Sequence, residues 1–169
     1  MELRKTIQKE LSKDNCVKIV NWVGNDQQRF DELADLFLKD DPVIQSRAGW
    51  ALSELVKKYP ALVKKHLARI IKQVKEPGQP DGVKRNTVRL LQHIDIPEKF
   101  HGEVMNCCFD WIIDPVEKPA VKAFSLTVLH NLSKQYPDIK AELKTIIEDR
   151  WEFETAAFHS RGRKILAAL

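Results

Sequence analysis

The chain has 169 residues, of which 43% are hydrophobic and 31% charged, and its formal net charge is +4. This length suffices for one well-buried domain, and no apolar run approaches the roughly 20 residues that a membrane-spanning helix needs. The first residues enter an amphipathic pattern without an apolar signal core, so we expect a cytoplasmic protein with no membrane contact. The three cysteines, two of them adjacent, do not indicate a disulfide framework or a zinc site.

Helical periodicity and capping signals predict ten helices. In chain order we place them near residues 2–12, 14–24, 26–39, 41–59, 60–76, 80–93, 97–113, 117–135, 137–150 and 154–168. Gly24 and Asp26 mark one helix end and the next start, and Asp41 caps a helix that begins with Pro42. Because no stretch alternates as a strand would, the predicted fold class is all-α.

Three junctions between these helices read almost alike, each with a proline at the start of the next helix. Pro60, Pro97 and Pro137 stand 37 and 40 residues apart. A period of about 40 residues is typical of arrays of helical hairpins. Because one hairpin cannot bury its apolar face alone, the hairpins must stack. We therefore predict a single repeat domain over residues 1–169, with residues 1–24 as an N-terminal capping hairpin.

The repeated pattern resembles the HEAT repeat family and its armadillo-like relatives over roughly residues 26–169. The residues that carry the resemblance are Asp41-Pro42-Val43, Arg47-Ala48 and Ala51-Leu52-Ser53-Glu54-Leu55, with equivalent stretches at Val83-Lys84-Arg85, Val121-Lys122-Ala123 and Ser160-Arg161. The resemblance implies a right-handed α-α superhelix of about five hairpins. It also implies that the basic residue recurring near the start of each second helix, at positions 47, 85, 122 and 161, ties one repeat to the next.

No motif for catalysis, phosphate binding or metal binding is present. The Walker A loop, the G-x-G-x-x-G turn, the H-E-x-x-H helix and the G-x-S-x-G elbow are all absent. The five histidines are scattered on different predicted helices, and none is spaced four residues from another histidine or from a cysteine. We therefore predict a protein that is not an enzyme and has no catalytic residues, no cofactor and no metal site.

The second helix of each predicted hairpin supplies the candidate binding surface, because in repeat arrays of this kind these helices line the concave side. Side chains that point away from the buried stripe at 100° per residue are the candidates. They are Trp50, Ser53, Lys57, Arg85, Arg89, Gln92, His130, Lys134 and Lys164. A tryptophan among cationic and hydroxyl groups suits a polyanion or an aromatic ligand. The alternative is that Trp50 packs against a neighbouring helix.

Charge is unevenly distributed along the chain. Residues 42–90 hold eleven lysines and arginines against three acidic residues, a net charge of +8, whereas residues 26–41 hold six acidic residues against two basic ones. Such asymmetry is found at electrostatic partner sites, and it is also found on ordinary solvated helix faces.

Three functions are compatible with this pattern. The resemblance implies a non-catalytic scaffold whose concave groove holds a protein or peptide, and this is the function we expect. The first alternative is a nucleic-acid-binding module that uses the basic segment 42–90. The second alternative is a relation to the HEAT-like alkylpurine DNA glycosylases. These enzymes hold the damaged base against aromatic residues and a carboxylate. Trp50 is then the candidate aromatic residue, with Glu54 one turn away but fixed by no motif.

Overall fold

A computed structural model describes residues 1–169 and confirms an all-α protein with ten α-helices and no strand. The helices are α1 (Leu3–Lys9), α2 (Lys13–Val23), α3 (Gln27–Lys39), α4 (Pro42–Lys58), α5 (Leu67–Lys75), α6 (Asp81–Leu91), α7 (His101–Ile113), α8 (Pro119–Ser133), α9 (Ile139–Arg150) and α10 (Ala156–Ala168). Every predicted helix is present. None of them combines the length and the apolar character that crossing a membrane requires.

Three short 3-10 helices precede regular helices, and the first two account for the late starts of α5 and α7. They are Pro60–Val63 before α5, Glu98–Phe100 before α7 and Trp151–Phe153 before α10. The largest difference is at α5, which begins at Leu67 rather than at residue 60. Short 3-10 turns are common at helix ends, where the proline or cap signal marks the start of the turn and the regular helix follows later.

Helix α1 ends at Lys9, earlier than the periodicity predicts, and side chains from other helices bind its last carbonyl groups. The Asn15 side chain donates to the Thr6 carbonyl at 2.8 Å, and Arg47 Nη1 donates to the Gln8 carbonyl at 2.7 Å. The carbonyls at the end of a helix have no partner within it and need such donors. Arg47 thereby ties α4 to α1.

The chain forms two compact units, residues 1–94 and 95–169. In the first unit the second helices α2, α4 and α6 lie side by side as one layer, and α1, α3 and α5 form the other layer. In the second unit α8 packs against α10, and α7 and α9 both pack against α8. Within each unit the second helices are therefore neighbours, as expected for stacked hairpins. The single domain and the capping role of residues 1–24 stay predictions.

Apolar side chains of the helices form the cores of the two units. Fully buried side chains in the first unit include Phe30, Phe37, Leu52, Leu55, Ile70 and Leu90, and those in the second include Ile112, Leu126, Leu129, Leu143 and Phe158. Because Phe158 and Ile165 are buried, α10 is an integral helix of the second unit.

Glycine residues allow α4 and α6 to approach each other closely. A Cβ atom on Gly82 would lie 2.5 Å from both Cβ and Oγ of Ser46. On the opposite helix, a Cβ atom on Gly49 would lie 2.8 Å from the Phe37 ring and 3.0 Å from Asn86. The distances to Ser46 and to the Phe37 ring are shorter than the contacts that real Cβ atoms make, and the distance to Asn86 is at the lower limit. The α4–α6 separation, and the surface that these helices form together, therefore depend on the two glycines.

We expect Gly82→Ala to lower the free energy of unfolding by about 1–3 kcal/mol, because the added methyl group overpacks the contact with Ser46. Gly102→Ala is the matched control, since Gly102 is also the second residue of its helix but a Cβ atom there would meet nothing within 4 Å. That change should stabilise the protein by up to about 1 kcal/mol, because alanine is the better helix former. Urea unfolding of both variants measures the difference, and equal shifts in the same direction would contradict the close contact.

In the second unit, a buried ion pair links α8 to the segment before α10. Lys122 Nζ lies 2.7 Å from Glu154 Oε1, with only 3% and 5% of the two side chains exposed. Arg150 donates to the same oxygen through Nε and Nη2, at 3.0 and 2.8 Å. The repeat-linking role predicted for the basic residue at position 122 is confirmed.

We predict that Lys122→Met lowers the free energy of unfolding by about 3–5 kcal/mol, because it removes one of two cations from a buried carboxylate. The double variant Lys122→Met/Glu154→Gln should recover part of this loss, since the uncompensated charge is then gone. Thermal and urea unfolding of the single and double variants form the test. If Lys122→Met unfolds at the same temperature and urea concentration as the unmodified protein, the ion pair does not stabilise the fold.

Candidate functional site

The candidate surface residues are divided between the two units. Trp50, Ser53, Lys57, Arg85, Arg89 and Gln92 belong to the first unit, and His130, Lys134 and Lys164 belong to the second. In the first unit, the side-by-side arrangement of α2, α4 and α6 brings Trp50, Arg85 and Arg89 together around two adjoining clefts.

The first cleft, here called the apolar cleft, has a volume of about 270 Å³. Cys16, Val17 and Val20 of α2 line it, together with Trp50, Glu54 and Lys58 of α4 and Arg89 of α6. Val17 is 47% exposed, so its side chain presents apolar surface to solvent. Positions 50, 54 and 58 lie on one face of α4 because they are spaced by about one helical turn.

The second cleft, here called the arginine cleft, has a volume of about 340 Å³. Arg47 of α4 and Arg85 and Arg89 of α6 line it together with Ser46, Asn86, Leu11 and Trp50, and no carboxylate is among them. Leu11 is 60% exposed. Trp50, which is half-buried, and Arg89 line both clefts. The indole therefore contributes aromatic surface to a cleft with aliphatic side chains and to a cleft with three arginines.

Two of the three arginines already have partners in the protein. Arg89 Nη2 donates to Glu54 Oε1 at 2.5 Å, and Arg47 binds carbonyl groups of α1. Arg85 is exposed and has no hydrogen bond or ion pair with another residue. Its neighbour Asn86 makes the contact between helices instead, donating from Nδ2 to the Ser46 carbonyl at 3.2 Å.

The recurring basic position is thus structural in three of four repeats. Besides Arg47 and Lys122, Arg161 donates from Nη1 to Thr127 Oγ1 at 2.6 Å and lies over the Phe124 ring at 5.2 Å. Burial lowers the pKa of the Arg161 guanidinium. The prediction that this position ties repeats together is confirmed for these three residues and is wrong for Arg85.

A family model described as HEAT repeat domain matches residues 3–169. This chain belongs to the HEAT repeat family. The match includes α1 and α2, whereas the repeat pattern in the sequence resembles the family only from about residue 26 onward. No curated protein and no solved structure matches the chain.

Three of the predicted surface residues of this HEAT repeat domain do not contribute to the clefts. Ser53 is only 2% exposed and its hydroxyl donates to the Trp50 carbonyl at 2.8 Å, so its predicted place on the surface is wrong. The physical reason is that α4 is covered on more than one side by neighbouring helices. Lys57 and Gln92 line neither cleft, and Lys58 contributes the lysine instead.

From the sequence we do not predict that α2 and Leu11 contribute to the clefts, because residues 1–24 are interpreted only as a cap. Lys13, Cys16, Val17 and Val20 form one side of the apolar cleft. Leu11 and Val17 are large apolar residues that the core does not absorb, but the sequence does not distinguish them from the buried apolar residues around them.

In the second unit the HEAT repeat helices leave Lys134 and Lys164 exposed. His130 is half-buried, and burial, with Lys134 and Lys140 adding to it, lowers the pKa of its imidazole.

Much of the positive excess in residues 42–90 lies in the other helix layer. Lys65, in the turn before α5, pairs with Asp31 of α3, and Arg69 Nη2 of α5 lies 3.4 Å from Asp35 Oδ1. The acidic stretch 26–41 therefore neutralises part of the basic segment, which weakens the interpretation of that segment as a polyanion surface.

A third cavity, of about 380 Å³, lies against α1 and α2. Its charged lining is balanced, with three carboxylates and three lysines: Glu2, Lys5, Lys9, Glu10, Asp14 and Lys18. It therefore favours neither cations nor anions. No group of histidine, cysteine and acidic side chains is placed to hold a metal ion.

Cys16 provides a chemical probe of the apolar cleft. Burial raises the pKa of its thiol to about 11, with the Glu54 carboxylate adding to the shift and Arg89 opposing it. We predict that iodoacetamide alkylates Cys16 in the folded protein at pH 8 far more slowly than in guanidinium chloride, because the thiolate is the reactive form. Peptide mass mapping separates Cys16 from the other two cysteines. Glu54→Gln should speed the reaction, and equal rates in folded and unfolded protein would contradict the burial.

Proposed function

We propose that this HEAT repeat protein is a non-catalytic scaffold that binds a segment of a partner protein on the α2/α4/α6 face of residues 1–94. The observation that carries the proposal is the position of Trp50, which is shared by two adjoining clefts and only half-buried. Tryptophan and arginine are the residue types that supply most binding energy at protein interfaces. Leu11 and Val17 add exposed apolar surface at the same clefts.

The groups that line the clefts support binding rather than catalysis. The Cys16 thiol is protonated at neutral pH, and the Glu54 carboxylate is held by Arg89. Covalent catalysis needs a nucleophile within hydrogen-bond reach of a base, and neither cleft contains such a pair. HEAT repeat domains generally act as non-catalytic scaffolds that mediate protein interactions, which agrees with this chemistry.

A second candidate function is nucleic-acid binding, with a base stacked on Trp50 and phosphates in the arginine cleft. One observation favours it: Trp50 and Glu54 line the same cleft, and an aromatic residue beside a carboxylate is what a glycosylase-like site requires. The number of free cations speaks against it. Among the basic residues of the two clefts, Lys13, Lys58 and Arg85 lack a partner in the protein.

Site-specific photo-crosslinking tests the proposed function. A benzophenone amino acid replaces Lys58, at the apolar cleft, or Lys72, an exposed residue of α5 in the other helix layer. We expect the probe at position 58 to crosslink a protein in native lysate that the probe at position 72 does not, and the crosslink should disappear with Trp50→Ala.

Nuclease treatment before irradiation separates the two candidates. A protein crosslink that survives nuclease supports the scaffold, whereas a crosslinked nucleic acid at position 58 would support the second candidate. Equal capture from positions 58 and 72, or capture unaffected by Trp50→Ala, would show that this face is not the binding surface.

A further inference from the structure

We infer that the partner segment carries an acidic side chain bound by Arg85 and, within a few residues of it, a large apolar side chain bound in the apolar cleft. This inference rests on the proposed function and adds the chemistry of the ligand. Two features support it: the unused guanidinium of Arg85, and the shared Trp50 wall between the two clefts.

Arg85 is available to a ligand because the fold does not use it. Among the recurring basic residues, Arg47, Lys122 and Arg161 each bind another repeat. At the equivalent place in α6 the contact between helices comes from Asn86, which is buried, while Arg85 is exposed and unpaired. A guanidinium binds a carboxylate through two parallel hydrogen bonds, and no carboxylate of the protein lines the arginine cleft to compete.

The apolar cleft offers a complementary pocket for an uncharged side chain. Val17 and Val20 form its aliphatic wall, with the Trp50 indole contributing on the side of α4. Burying a leucine- or phenylalanine-sized side chain against such a wall provides a nonpolar driving force. Because both clefts share Trp50, the acidic and apolar side chains must be close in the ligand. An extended chain meets this need, since side chains two residues apart lie on one face about 7 Å from each other.

The charges of the face favour a short acidic peptide over a polyanion. Glu54 lines the apolar cleft and its charge is balanced by Arg89, so this pair offers a strand of phosphates little net attraction. The remaining unpaired cations, Lys13, Lys58 and Arg85, match a ligand with one to three carboxylates. Each pairing of a ligand carboxylate with one of these cations also speeds the association of the two molecules by charge complementarity.

Selection from a random peptide library displayed on phage, with the full-length protein as bait, tests the inference. We expect enriched peptides to carry aspartate or glutamate within three residues of leucine, isoleucine, phenylalanine or tryptophan. With Arg85→Glu as bait, the acidic position should change to lysine or arginine. Lys72→Glu is the control with the same change of charge on the other helix layer, and it should leave the selected sequences unchanged.

Synthetic peptides then measure the contact itself. Replacing the acidic residue of a selected peptide by its amide should weaken binding at least tenfold, and Arg85→Gln should weaken it similarly. Combining both changes should cost little more than either alone, because both remove the same ion pair. Val17→Asp should weaken every selected peptide.

The outcomes distinguish failure of this inference from failure of the proposed function. Peptides that require Trp50 but show no acidic preference would overturn the inference and leave the scaffold standing. The absence of any peptide whose binding depends on Trp50 would overturn both. Displacement of the peptides by a short oligonucleotide that itself binds more tightly would favour the nucleic-acid function.

Discussion

The close contact between α4 and α6 is the constraint on which the first unit depends. Gly49 and Gly82 leave no room for a Cβ atom at this contact, so the two helices lie near enough for their polar side chains to meet. At that distance Asn86 reaches the Ser46 carbonyl and Arg89 reaches Glu54. The same separation brings Trp50 of α4 beside the arginines of α6. A wider contact would separate the aromatic and cationic groups that form the clefts.

The basic residue that recurs near the start of the second helices makes different contacts in different repeats. Arg47 satisfies carbonyl groups at the end of α1, Lys122 neutralises a buried carboxylate, and Arg161 binds a hydroxyl group. These contacts hold successive hairpins together. In α6 the recurring residue, Arg85, makes no such contact, because the adjacent Asn86 binds the neighbouring helix instead. Repeat proteins acquire binding surfaces in this way, since neighbouring interfaces need only one tie each and the remaining side chains can face a ligand.

Charge in this protein is partitioned between two helix layers. In the first unit the acidic residues of α3 face basic residues of α5 and of the turn before it, where Asp31 and Asp35 pair with Lys65 and Arg69. Such surface pairs contribute little to stability individually. They also neutralise part of the positive charge of that layer. The α2/α4/α6 face keeps three unpaired cations, Lys13, Lys58 and Arg85, which complement a ligand with a few carboxylates.

The sequence by itself determined the all-α class, the ten helices and their pairing into hairpins, because periodicity, caps and prolines are local signals. It also placed Trp50, Arg85 and Arg89 on one class of helix. Only the tertiary structure decided that Ser53 is buried, that α2 supplies half of the apolar cleft, and that Arg85 is the one recurring basic residue without a partner. These properties depend on which side chains meet across helices 35 to 40 residues apart, and helical periodicity contains no information about such contacts.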